Sequence, residues 1–101
     1  MIRVKQSDFF RLLVPDECPD TTFLEEDQLA AYARDEFSFV GVCAAVDLPI
    51  PYGSDTIHTR IRSPGLWGVT SDTDEDYLES IFREEADTLA ALLNGQTIEV
   101  V

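Results

Sequence analysis

The residues of this 101-residue chain that could do chemistry are few and poorly grouped. Asp72, Asp74 and Asp76 spell the opening of a calcium loop. Such a loop also needs glycine at its sixth position and a bidentate glutamate at its twelfth, and Tyr77 and Arg83 stand there instead. A helix cap explains the stretch better. The one histidine, His58, has no cysteine or second histidine near it at zinc-ligand spacing. Cys43 and His58 would make a nucleophile and a base if a hairpin brought them together, but only residue identity suggests it. There is no phosphate-cradling glycine loop, and carboxylates are so many that no pair stands out as an acid–base dyad. The expectation is a protein that is not an enzyme and holds no metal or cofactor.

Charge is the outlier. Twenty Asp and Glu oppose seven Lys and Arg, for a net charge of −13. A small domain stays soluble at a magnitude of roughly 2–8, and self-repulsion beyond that costs stability. Direct binding to nucleic acid or an anionic membrane is disfavoured, and a basic partner is favoured. Eight carboxylates fall between Asp72 and Asp87, a span of about 22 Å if helical. One per roughly 3 Å approaches the ~3.4 Å phosphate spacing along a DNA strand. Asp72, Asp74, Glu75, Asp76, Glu79, Glu84 and Asp87 are therefore the candidate partner-binding face, with Glu25, Glu26 and Asp27 as an extension. The same residues also describe an ordinary solvated helix, since Arg83 interrupts them four residues after Glu79, a favourable helical pair. Trp67, flanked by Gly65 and Gly68, would be either an exposed anchor for a partner or a core residue beneath a helix. Arg60 and Arg62 would read a phosphate or pair with carboxylates such as Glu85 or Glu99.

The elements that position these residues follow from periodicity. Leu78, Ile81, Phe82, Leu89, Leu92 and Leu93 form one helical stripe opposite Asp76, Glu79, Arg83, Glu84 and Asp87. Ser71, Asp72 or Thr73 would cap this helix, Thr73 with Asp76 as a capping box, and Asn94-Gly95 would close it. Glu85 interrupts the stripe, lying at its edge or meeting an arginine. Thr22 and Glu25 have capping-box spacing before a shorter helix in EEDQLAAYARDE, with Leu29, Tyr32 and Ala33 as its apolar face. Phe37 to Val46 is apolar at nearly every position, as in a strand covered on both faces, and Gly41 marks a candidate bulge. PIPYGSD reads as a turn. TIHTRIR alternates, with Ile57, Thr59 and Ile61 on one face and His58, Arg60 and Arg62 on the other. Leu66–Val69 and two short end segments, MIRVKQ and QTIEVV, read as strands; DFFRLLV fits a strand or a short helix. The architecture expected is α+β: an antiparallel sheet of three to five strands packed by one long C-terminal helix and a shorter helix, forming a single domain over 1–101.

No apolar run of about 18 residues is present to span a membrane. MIRVKQSDFF lacks the apolar core of a signal peptide, so a cytoplasmic location is expected. Cys18 and Cys43 then read as free thiols.

Phe37-Ser38-Phe39-Val40-Gly41-Val42, Ser63-Pro64-Gly65-Leu66-Trp67-Gly68-Val69 and Ser71-Asp72-x-Asp74-x-x-Tyr77 resemble a pattern in small proteins encoded by bacteriophages and prophages, over about residues 30–93. The resemblance implies a phage or mobile-element origin and transfers no functional residue. Small acidic phage proteins include anti-CRISPR and anti-restriction inhibitors, some with DNA-like charge. The function expected is inhibition of a host nucleic-acid-handling defence complex, in the host cytoplasm, through a basic protein surface. The alternative is a phage accessory or assembly protein acting through self-association, such as a homodimer, or through another phage protein, using Trp67 and the hairpin.

Overall fold

The computed structural model describes residues 2–95 and 98–101. In chain order the elements are β1 (Ile2–Val4), a 3-10 turn (Gln6–Asp8), β2 (Phe10–Pro15), α1 (Glu26–Ala33), β3 (Phe39–Tyr52), β4 (Asp55–Arg62), β5 (Leu66–Thr70), α2 (Glu75–Leu93) and β6 (Ile98–Val100). The run with both faces apolar is β3, and the other strands of the main sheet are placed by it. β2 pairs antiparallel with its first half along one edge, Phe10 opposite Ala45 and Pro15 opposite Val40. Along the other edge β5 takes the start of β3 and β4 takes its second half, down to Tyr52 opposite Asp55. This is the expected α+β arrangement: a four-stranded antiparallel sheet, a long C-terminal helix and a shorter one.

Alternation along β3 separates two faces. Val40, Val42, Ala44, Val46 and Leu48 meet α2, which supplies Leu78, Ile81, Ala86, Leu89, Ala90 and Leu93. A fully buried leucine such as Leu89 is worth about 1.5–3 kcal/mol of transfer free energy. Leu92, expected in the stripe, is exposed. The buried arc is shifted towards Ala86 and Ala90 because β1 and β6 bring Ile2, Ile98 and Val100 against that flank of the helix. These two strands form a separate parallel pair, Ile2 opposite Ile98 and Val4 opposite Val100, and do not extend the antiparallel sheet. Met1, Gln96 and Thr97, included in the expected end strands, lie outside the described residues.

Local signals at helix ends were partly displaced. α1 is capped by Glu25, whose side chain and that of Gln28 close a capping box, while Thr22 donates to Asp20. None of α1's residues is buried, and Leu29 and Ala33 face solvent, leaving Tyr32 and Ala31 to make its contact. α2 begins after Asp74 without a side-chain cap; Thr73 instead shares a hydrogen bond with Thr70, and Ser71 accepts from the Ser38 amide. Gly95 has the left-handed φ of 86° that closes the helix end.

The largest departure is where the hairpin turns. β3 does not stop at Val46 but runs through Pro49 and Pro51, and the chain turns only at Gly53-Ser54. The Ser63 amide donates to Ala44 O, so antiparallel alternation aims the nitrogens of Pro49 and Pro51 away from β4. The pairing with β2 stops at Ala45, so among the described residues no strand pairs with that side of β3 there, and the missing N–H groups cost no ladder bond. The hairpin projects as an arm. It stretches the molecule to 56 × 25 × 19 Å with a radius of gyration of 16.8 Å, against about 13 Å for a compact chain of about 100 residues.

Candidate functional site

Twelve of the twenty carboxylates lie in segments 16–36 and 71–76, with Arg34 the single base among them. The fold draws these segments to the end of the sheet where β3 begins. The Asp16 amide donates to Phe39 O and its carboxylate accepts from the Gly68 amide; the Ser71 amide donates to Ser38 O. Beneath them lies an aromatic cluster. Phe39, on the sheet face opposite α2, is packed edge-on by Phe23, Tyr32 and Phe37 with ring centroids 5.3–6.3 Å apart. The apolar cluster anchors a segment that is otherwise polar.

This arrangement joins two of the sequence-derived groups. Asp27 of α1, Glu36 and Asp72 line one cleft of about 320 Å³ together with Gln28 and Thr70. Asp74 and Asp76 follow Asp72 into the first turn of α2, exposed, where the helix dipole favours negative charge. Glu75 turns towards the sheet and takes two hydrogen bonds from Arg11, at 2.6 and 3.2 Å. Those bonds, and then the arginine's charge, hold its carboxyl below the usual value and raise Arg11. Asp20 is likewise lowered by hydrogen bonds from the hydroxyl and amide of Thr22.

The second half of the expected face is built differently. Glu79 lies 3.7 Å from Arg11 and 3.8 Å from Arg83, and Asp87 accepts from Gln6 at 2.9 Å. Glu79, Arg83 and Asp87 line a cleft of about 470 Å³ against the 3-10 turn, where carboxylates alternate with basic and amide groups. Glu84 is exposed and has no ion-pair partner among the described residues. The acidic potential therefore concentrates at Asp72–Asp76 and α1 and is diluted along the rest of α2.

No protein-family model, curated protein or solved structure matches the chain.

Trp67 lies on the face away from α2, so it is not a core residue beneath the helix. Two β5 residues, Trp67 and Gly68, stand opposite Gly41 in a bulge. The indole covers Gly41 so closely that a Cβ there would meet the ring at 2.5 Å, and its Nε1–H donates to Pro64 O. The Arg62 guanidinium sits 5.5 Å from the ring centroid, leaving Trp67 41 % exposed. Arg60 does not reach Glu85 or Glu99. It pairs with Asp47 at 2.8 Å and lies over Phe10, and its hydrogen bond lowers the Asp47 carboxyl. Glu99 pairs with Arg3.

Glu85 meets no arginine. One of its oxygens accepts from Ser63 Oγ and from the Gly65 amide, each at 2.7 Å. Ser63, 1 % exposed, also accepts from the Ala44 amide. This chain of bonds ties the Ser-Pro-Gly turn to both sheet and helix. Sequence reasoning missed it, because a serine in a turn looks solvent-facing. Cys43 is fully buried and His58 faces Pro49, six positions along β3, about 20 Å away. They do not form a pair. Among the described residues no three His, Cys, Asp or Glu side chains are grouped to hold a metal ion, and no helix is long and apolar enough to cross a membrane.

Proposed function

We propose that this chain is a non-catalytic binding protein whose acidic end occupies the basic, nucleic-acid-binding surface of another protein, inhibiting it. The segregation of charge carries the reading: segments 16–36 and 71–76 hold twelve carboxylates and one base, while the remainder of the chain is nearly balanced with eight against six. Solubility alone needs no such segregation. A basic groove shaped for phosphates is the complementary partner, and its field would steer association. The resemblance of the Ser63–Tyr77 stretch to phage and prophage proteins favours, by analogy of origin and charge, a partner in a host defence complex that handles nucleic acid.

The test is capture of binding partners from host lysate at low and high salt, with DNA as competitor. A nucleic-acid-binding protein should be retained at low salt and released by salt or DNA. Replacing Asp27, Asp72, Asp74 and Asp76 by Lys should weaken binding about a hundredfold, ~2.8 kcal/mol, with far-UV ellipticity unchanged. The same reversal at Glu79, Glu84 and Asp87 should cost much less. Binding untouched by the first set, or indifferent to salt, rejects the reading.

A further inference from the structure

The hairpin arm has two edges, and they are treated differently. The β3 edge is blunted by Pro49 and Pro51. The β4 edge is not. Among the described residues β4 pairs with β3 alone, and Asp55-Thr-Ile-His-Thr-Arg-Ile-Arg62 contains no proline, glycine or bulge. The hydrogen bond from the Ser63 amide to Ala44 O sets the alternation along this pair. It directs the N–H and C=O groups of Thr56, His58, Arg60 and Arg62 outward, away from β3. Arginines at a strand edge ordinarily obstruct pairing. Here Arg60 is folded back onto Asp47 and Phe10, and Arg62 onto Trp67, leaving the backbone clear.

We infer that β4 pairs antiparallel with β4 of a second copy, joining two four-stranded sheets across a two-fold axis at Thr59. The strand is self-complementary about that residue. Thr59 meets Thr59, and Ile57, 48 % exposed in the single chain, meets Ile61 of the second copy. His58 stands opposite Arg60 and Thr56 opposite Arg62, so no two arginines and no two carboxylates face directly. This register sets all four outward-pointing residues against one another, for about eight hydrogen bonds.

The charge distribution selects the occupant. A chain of net charge −13 resists meeting itself anywhere but at the region from which the excess is absent, and the arm is that region. Thr59 faces Leu48, nine residues along β3 from Phe39. At roughly 3.3 Å per residue the two acidic ends would lie about 60 Å apart, far beyond a screening length of about 8 Å in physiological salt. The dimer would present two acidic ends pointing in opposite directions. This inference does not depend on what the acidic end binds.

The experiment measures mass in solution and register by cross-linking. The native chain should sediment at twice its chain mass, and His58→Pro, which removes an outward N–H, should sediment as a folded monomer. In a Cys18→Ser background, which removes the exposed thiol, Thr59→Cys should form an intermolecular disulfide at least tenfold faster than Ile57→Cys, which does not face itself. A native monomer overturns the inference, as does equal cross-linking by the two cysteine variants. Should His58→Pro fail to fold, the cysteine pair alone decides.

Discussion

The acidic end and the hairpin arm are two ways of holding polar chain away from a core. The acidic end is made of segments with little regular structure, pinned by the aromatic contacts of Phe23, Tyr32, Phe37 and Phe39 and by single hydrogen bonds such as Asp16 to Phe39. The arm is regular ladder throughout, and its root is where Leu48 and Ile61 reach the main apolar cluster. The first concentrates charge and spreads its anchoring over many side chains. The second spreads charge thinly and relies on backbone pairing. A surface that must present carboxylates has few backbone groups to offer, whereas an edge strand offers almost nothing else.

Four substitutions probe this contrast, besides the two experiments above. Leu48→Ala removes the apolar root of the arm and should cost about 2–5 kcal/mol, while Ile57→Ala, farther out and exposed, should cost less than about 1 kcal/mol. Chemical denaturation measures both, and equal losses would mean the arm carries its own support. Glu85→Ala strands the Ser63 hydroxyl and the Gly65 amide where the arm's second strand returns to the body. Its expected cost is about 1.5–3 kcal/mol, and a neutral result would remove the junction from the account. The smallest effect belongs to the acidic end. Glu75 is held below the ordinary carboxylate value by Arg11, so its contribution is present at neutral pH and is lost as pH falls through that lowered value. The stability difference between the native chain and Glu75→Gln should therefore vanish in acid; a difference that grows there has the wrong sign.

The helix-period stripe of Leu78, Ile81, Leu89 and Leu93 and the two-residue alternation of His58, Arg60 and Arg62 were legible because each is a local pattern with a local consequence. The prolines of the arm were not. Whether Pro49 and Pro51 end a strand depends on which side of it is occupied, and that is set by where β2 stops. Glu25 rather than Thr22 caps α1 because Asp20 already holds the threonine, a competition that spacing does not reveal. Of the candidate site, the nearness of Asp72, Asp74 and Asp76 is written in the chain. Their meeting with Asp27 and Glu36 is not, since it comes from the Phe39 cluster folding α1 back over the start of β3. The pairing of Arg62 with Trp67 was equally hidden, because it needs the bulge opposite Gly41.

That bulge has an optical consequence. The chain contains one tryptophan, and it is seated at the joint between the ladder and the acidic segments, half in water and beneath a guanidinium. Its emission is thus a native reporter of this joint. A change in fluorescence without a change in ellipticity would signal that the two ends have moved relative to each other while both remain folded.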